Sequence, residues 1–277
     1  MLFLEILKAI ILGIVEGVTE WLPVSSTGHM ILVDELMPLN VSTEFKELFL
    51  VVIQLGAICA VPVLFFGKLN PFSRAKAPTE RRSTWLLWAK VIVGVLPAAV
   101  LGLLLDDLLD EHLYNFVTVA IALIVYGIAF ILVEHFKRDK TSRVERVEDL
   151  SFTDALLIGG FQVLSLIPGT SRSGSTILGG RLIGVSRSAS AEFSFFMAIP
   201  VMLGASLLKI VKFALEGYTA TPLEIGLLLV GLAVSFLVSL VAIRFLTDFV
   251  KRHTFTPFGI YRIALGALVL GYFLITK

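Results

Sequence analysis

Six runs of apolar residues, roughly 48–66, 85–105, 113–133, 193–213, 223–243 and 257–275, set the limits on what this chain can fold into. Each is close to the ~20 residues an α-helix needs to cross a hydrocarbon core. Composition agrees: 57% of residues are hydrophobic, 16% are charged and the mean hydropathy is +0.92. A soluble domain is nearer half apolar and a quarter charged. The expectation is an all-α integral membrane protein with six transmembrane helices. The single cysteine, Cys59, excludes an internal disulfide and is expected to pack as a small apolar residue.

Two shorter apolar runs, about 2–15 and 155–168, each end in a polar, proline-containing motif. The first reads Gly13-Ile-Val-Glu16-Gly-Val-Thr-Glu20-Trp-Leu-Pro23-Val-Ser25-Ser26-Thr27-Gly28-His29. The second reads Gly159-Gly-Phe-Gln162-Val-Leu-Ser165-Leu-Ile-Pro168-Gly169-Thr170-Ser171-Arg172-Ser173-Gly174-Ser175-Thr176. The motifs lie 146 residues apart by their glycines and 145 by their prolines, so they are diverged copies. Glu47-Leu-Phe and Glu192-Phe-Ser, at an offset of 145, extend the match. Runs this short suit re-entrant segments, and irregular backbone at membrane depth survives only where protein or a wet cavity satisfies it. Segments 2–34 and 152–184 are therefore read as re-entrant helical hairpins.

Basic residues orient the spans. Loop 67–84 carries Lys68, Arg74, Lys76, Arg81 and Arg82; loop 137–151 carries Lys137, Arg138, Lys140, Arg143 and Arg146; link 246–256 carries Lys251 and Arg252. Loop 106–112 is acidic (Asp106, Asp107, Asp110, Glu111), and loop 214–222 has no Lys or Arg. The alternation places the basic loops in the cytoplasm. Each half, about 1–136 and 150–277, then holds one hairpin and three crossings. Three is odd, so the halves form an inverted-topology repeat within one membrane domain. The hairpins enter from opposite faces and meet near the midplane, where inverted-repeat proteins place their sites. Glu5 and Lys8 interrupt the first run and no small-residue cleavage site follows, so a cleaved leader is not expected.

Ionisable groups in such turns are functional candidates by default. Glu16 and Glu20, at i and i+4, share a helix face and repel unless a proton, a divalent cation or an arginine relieves them. Arg172 on the facing turn is the natural partner. Ser25, Ser26 and Thr27 precede His29, which admits a nucleophile with its base or a serine that only caps the next helix. The loop 168–176 combines two glycines, hydroxyls and Arg172, a set suited to phosphate. Arg262, six residues inside its run, is a further candidate for a lipid-phosphate path; Arg244 is read as snorkelling. His112, His135 and His253 are read as surface residues, and Trp85 and Trp88 as interfacial. The chain has no Gly-x-x-x-x-Gly-Lys-Ser/Thr, His-Glu-x-x-His or Gly-x-Gly-x-x-Gly motif, and nothing in the pattern calls for a nucleic-acid partner.

The two motifs resemble the paired signatures of the bacterial undecaprenyl-diphosphate phosphatases, the bacitracin-resistance family. The resemblance covers nearly the whole chain, including Val52-Ile53-Gln54-Leu55-Gly56 and Glu192-Phe-Ser-Phe. It implies catalytic roles for Glu16, Glu20, Ser26, His29 and Arg172. It places Ser171, Ser173 and Thr176 beside the arginine, and these, with Ser25, Thr27, Gln162 and Gly169 of the two motifs, are the residues expected to contact substrate. The implied reaction hydrolyses the C55 isoprenoid diphosphate to the monophosphate and phosphate on the extracytoplasmic face of the bacterial cell membrane, recycling the carrier lipid for peptidoglycan synthesis. Bacitracin would compete indirectly by binding the substrate, and the resemblance leaves room for a homodimer. Two carboxylates beside a diphosphate invite a hard cation, Mg2+ or Ca2+, at Glu16 and Glu20. Ser26, His29 and Glu20 are left open as nucleophile and base. The competing class is an inverted-repeat transporter or flippase of polyprenyl phosphate lipids.

Overall fold

The computed structural model describes residues 2–113, 115–137 and 140–276, with the backbone alone at 106–108, 110 and 111. Among the described residues, six helices are long and apolar enough to cross a membrane. They are α3 (Thr43–Leu64), α5 (Pro78–Leu113), α6 (Phe116–Phe136), α9 (Arg187–Leu215), α10 (Pro222–Arg252) and α11 (Thr256–Thr276). The remainder are α1 (Leu2–Thr19), α2 (Ser26–Leu36), the short α4 (Phe66–Leu69), α7 (Phe152–Val163) and α8 (Arg172–Leu182), with 3-10 turns at Val147–Asp149 and Leu164–Leu166. Among the described residues there is no strand, only an isolated bridge between Val144 and Val185.

The elements pair off between the halves. Helices α2 and α8 both have 11 residues, and α6 and α11 both have 21. Ser42 caps α3 through the Phe45 N–H, and Ser186 caps α9 through the Ala189 N–H. Packing is exchanged reciprocally: α1 lies on α10 of the second half, while α7 lies on α5 of the first. Glycines allow both contacts. A β-carbon at Gly13 would meet the Gly231 carbonyl at 2.9 Å, and one at Gly159 would meet the Gly94 carbonyl at 2.2 Å. The α6–α11 and α3–α9 pairs join the halves, and α3 also packs on α10. The two helix–turn–helix pairs, α1–α2 and α7–α8, fit the re-entrant hairpins expected from the sequence.

Several expectations are corrected. Segment 106–112 is not a loop, because the backbone stays helical to Leu113; the side chains of Asp106, Asp107, Asp110 and Glu111 lie outside the described residues, as does Arg138. Much of loop 67–84 is helical too, since α5 already begins at Pro78. Cys59 is exposed on the outside of the bundle rather than packed in it. Trp85 is exposed, and Trp88 donates to the Leu69 carbonyl at 2.9 Å. The main core joins α3, α5, α8 and α9 around Trp21, Phe193, Phe195 and Phe196.

Candidate active site

The site is built at the two breaks between paired helices. Helix α1 ends as the Glu20 N–H bonds the Glu16 carbonyl at 3.0 Å, and the chain turns through Trp21–Val24 before α2. Helix α7 ends in the 3-10 turn, and Gly169, at φ 88°, carries the chain on to α8. A side chain at 169 would be strained by that φ, and its β-carbon would lie 2.5 Å from the Val119 carbonyl.

Both new helices start in the same way. Ser25 and Ser171 are the only described non-glycine residues with positive φ, and both sit at 73°. The Ser25 hydroxyl accepts from the Gly28 N–H at 3.3 Å, and the Ser171 hydroxyl from the Gly174 N–H at 3.1 Å. Left-handed backbone at a non-glycine residue costs on the order of 1–3 kcal/mol and concentrates at functional sites. The strain aims the first residues of α2 and α8, Ser26 and Arg172, at a common target.

That target is Glu20. Arg172 donates to Glu20 Oε1 from Nη2 at 3.1 Å and from Nε at 3.3 Å. The Ser26 hydroxyl donates to Glu20 Oε2 at 3.1 Å. The remaining Arg172 nitrogen, Nη1, reaches the Ser194 carbonyl at 2.6 Å and its hydroxyl at 3.3 Å. The guanidinium lies 6.0 Å from the centre of the Trp21 ring, which packs edge-on against Phe195. Glu20 is buried, and the Arg172 side chain is 9% exposed. Glu16 is buried one turn below, and its Oε1 has no hydrogen-bond partner.

His29 is engaged differently from what its spacing suggests. Its Nδ1 lies 2.7 Å from the Ser25 carbonyl, and its Nε2 lies 2.6 Å from the Tyr261 hydroxyl, with the two rings parallel. A carbonyl can only accept, so Nδ1 carries the proton and, in neutral histidine, Nε2 accepts from Tyr261. Both ring nitrogens are thus occupied by groups other than Ser26. The capping role weighed for these serines belongs to Ser25, while Ser26 is the first residue of α2.

The second turn also departs from a simple phosphate loop. Thr176 is fully buried; its hydroxyl donates within the Arg172, Ser173 and Ser194 group, meeting the Ser194 hydroxyl at 2.7 Å. Ser173 is buried as well, 3.1 Å from the Ser171 hydroxyl and 3.3 Å from the Leu22 carbonyl. Both back up Arg172 and the facing turn rather than line an open surface. Gln162 is buried with neither amide atom bonded, at the repeat position that matches Glu16. Thr27, half-buried, follows Ser26 in the first turn of α2.

Arg262, expected on a lipid-phosphate path, is instead completely buried. It donates to the Pro23 carbonyl at 3.2 Å and to the Gly169 and Thr170 carbonyls at 2.9 Å each. One guanidinium from α11 therefore ties both breaks together, and its face covers Tyr126 at 5.5 Å. Sequence reasoning did not find Ser194, Tyr261 or this use of Arg262. The only signals were Ser194 inside Glu192-Phe-Ser-Phe and an arginine deep in an apolar run.

The arrangement brings two helix N-termini, an arginine and a hydroxyl onto one carboxylate. The first N–H groups of a helix lack intrahelical partners and favour anions. A multi-pass membrane protein with such a buried centre is built to handle an anionic headgroup at the boundary between lipid and water. The chain belongs to the bacitracin resistance family: the model described as "Bacitracin resistance protein BacA" matches residues 9–268. It is 57% identical over 274 residues to an undecaprenyl-diphosphatase of Enterococcus faecalis, covering 99% of each chain. Undecaprenyl-diphosphatases of Lactiplantibacillus plantarum (56% over 270 residues, 98% of each chain) and Acetivibrio thermocellus (55% over 274 residues, 99% of this chain and 100% of the relative) are similarly close.

Proposed function

We propose that this protein hydrolyses undecaprenyl diphosphate to undecaprenyl phosphate and inorganic phosphate, as the names of its relatives state of them. The observation that carries the chemistry is the double occupation of Glu20, with the Ser26 hydroxyl on one oxygen and the Arg172 guanidinium on the other. A hydroxyl bonded to a carboxylate is the geometry of a nucleophile with its base.

The diphosphate enters between the N-termini of α2 and α8. Arg172 turns its fork from Glu20 to the phosphate oxygens, matching them bidentately. Glu20, relieved of that partner, takes the Ser26 proton as Oγ attacks the terminal phosphorus. The bond from that phosphorus to the bridging oxygen breaks, and its electron pair leaves with the lipid monophosphate. Water then attacks the phosphoserine; Glu20 returns the first proton to Oγ and passes the one taken from water to solvent. Arg172 and the helix N-termini stabilise the charge spread over the equatorial oxygens, the main demand of phosphoryl transfer. Ser194 and Thr176 hold Arg172, while Ser171 and Ser25 shape the turns that carry the backbone donors. His29 braces the Ser25 carbonyl and links the site to Tyr261.

Two carboxylates with an unpartnered buried oxygen fit a hard divalent cation, provided the substrate phosphates complete the shell. Glu16 and Glu20 would hold Mg2+ or Ca2+. Among the described residues no third carboxylate, histidine or cysteine joins them. Such an ion, when bound, neutralises charge on the diphosphate.

The halves are proposed to be inverted copies, about 1–136 and 150–277, with the site open to the extracytoplasmic side of the bacterial cell membrane. The basic loops at the opposite end support this orientation. Bacitracin, by binding the substrate, would compete without touching the protein. The test is phosphate release from detergent-solubilised C55 lipid diphosphate by purified protein, with and without chelator. Release requires no second compartment, so a protein that only moves lipid between leaflets would release none, and that result would overturn the reading. Loss of rate in chelator, restored by Mg2+ or Ca2+, is expected if the cation belongs to the site.

A further inference from the structure

A second charged centre lies at the far end of α8, away from Glu20. Glu134, 2% exposed, accepts from Arg181 Nε at 3.1 Å and from Arg187 Nε at 2.7 Å. Two guanidiniums on one buried carboxylate leave one positive charge over. Arg187 is also the first residue of α9, where the helix dipole is already positive and no acidic residue follows in the first turn. Beside this pair lies a cavity of about 250 Å³ lined by Lys137, Lys140, Arg181, Arg187 and Lys251, with Glu145 as the carboxylate on its wall. Asp248 pairs with Lys251 at 2.7 Å. Among the described residues, five cations thus face three carboxylates, Glu134 included.

Only Arg187 meets a helix N-terminus, since Lys137, Arg181 and Lys251 lie at the C-terminal ends of α6, α8 and α10. Like charges crowded around one cavity nevertheless repel one another, and a bound anion relieves that repulsion. The volume is below that of a drug-sized site, for which ~300–1,000 Å³ is usual, and suits a headgroup. The cavity opens at the ends of α6 and α10, level with the basic loops. On those helices, within about two turns of the lining residues Lys137 and Val250, Leu132, Phe136 and Phe245 are exposed apolar side chains. A phosphate seated among the lysines would have an apolar surface at hand for a tail. Basic pockets between membrane helices on the cytoplasmic side recognise lipid phosphates in this way.

We propose that this cavity is a second phosphate-binding site, separate from the catalytic centre, which takes the phosphate of an anionic membrane lipid. The test uses the full chain in detergent, titrated with phosphatidylglycerol, with phosphatidylcholine of the same chains, and separately with inorganic phosphate, followed by native mass spectrometry and calorimetry. The variant carries Lys137→Gln, Lys140→Gln and Lys251→Gln together. These side chains lie outside the catalytic centre, so unchanged turnover of C55 diphosphate in detergent shows that the variant is folded. The parent is expected to retain phosphatidylglycerol over phosphatidylcholine. Each basic residue near a lipid surface contributes ~1 kcal/mol, so the variant should bind about 100-fold more weakly. Saturable binding of inorganic phosphate without lipid retention, lost in the variant, would keep the phosphate site and assign it to free phosphate. Equal retention of both lipids, or binding by the folded variant as tight as the parent's, would overturn the proposal.

Discussion

Arg172 reaches Glu20 at 3.1 Å across 152 residues of sequence, one residue at the start of α8 and the other just past the end of α1. The pair is the charged contact between the two breaks. It is also a resting state: every Arg172 nitrogen is committed, to Glu20 or to Ser194. Two of its nitrogens converge on the single oxygen Oε1, leaving the fork free to spread over two phosphate oxygens on exchange.

Arg172→Lys should therefore be crippled although the charge is kept. An ammonium lacks the fork and cannot bridge Glu20 to Ser194. Loss of one preorganised charge-stabilising donor typically lowers rates by ~10²–10³-fold. Steady-state phosphate release from C55 diphosphate measures this, and turnover within a few-fold of the parent would refute the bidentate role.

Ser26→Ala separates covalent catalysis from direct attack by water. With Ser26 as nucleophile, the variant should lose nearly all activity, and acid quenching of the parent during turnover should trap phosphoserine at position 26. A tenth of the parent rate with no trapped phosphoserine would instead mean that Ser26 positions a water for Glu20. The cap on α2 is held by Ser25, so the variant should keep its fold.

How much of this was legible follows from which physical signals are local. The six crossings are written in run length, and the paired breaks in the offset of 146 between Gly13 and Gly159. The Glu20–Arg172 contact follows from charge alone, since both are costly in lipid without a partner. What sequence could not show depends on rotation about helix axes. Thr176 and Ser173 sit in the same motif as Arg172, but the helical turn of α8 buries their hydroxyls behind it. His29 lies three residues from Ser26, yet the Ser25 carbonyl and Tyr261, 232 residues away, claim its ring. The reach of α5 to Leu113 was hidden because four acidic residues mimic a loop.

Tyr261→Phe tests the histidine. The change removes one hydroxyl bonded to His29 Nε2 and leaves the ring stack. A net hydrogen bond contributes ~0.5–1.5 kcal/mol, so turnover should fall by about two- to tenfold, with the pH profile of kcat/KM displaced. An unaltered profile with only a lower thermal midpoint would make the contact purely structural.

Gly159→Ala should harm folding more than Gly13→Ala. The new methyl at 159 would lie 2.2 Å from the Gly94 carbonyl, against 2.9 Å from the Gly231 carbonyl at 13, and backbone cannot move aside as a side chain can. Overpacking of this kind costs ~1–3 kcal/mol or more. Thermal unfolding in detergent should show the larger loss for Gly159→Ala, and equal midpoints would argue that α7 shifts freely along α5.

Arg262→Met removes the clamp on the two breaks. The variant keeps a long apolar stem but leaves the Pro23, Gly169 and Thr170 carbonyls without their shared donor. A buried polar group stripped of its partner costs ~1–3 kcal/mol, and Ser25 and Ser171 would lose the frame that holds them at positive φ. Turnover should fall at least tenfold even where the protein still folds, because Ser26 and Arg172 no longer start from fixed helix ends. Arg262→Lys, which can reach one or two of the carbonyls, should recover part of both stability and rate. Parent-like turnover in Arg262→Met, with the thermal midpoint lowered, would mean that the breaks hold their geometry without it and that Arg262 serves stability alone.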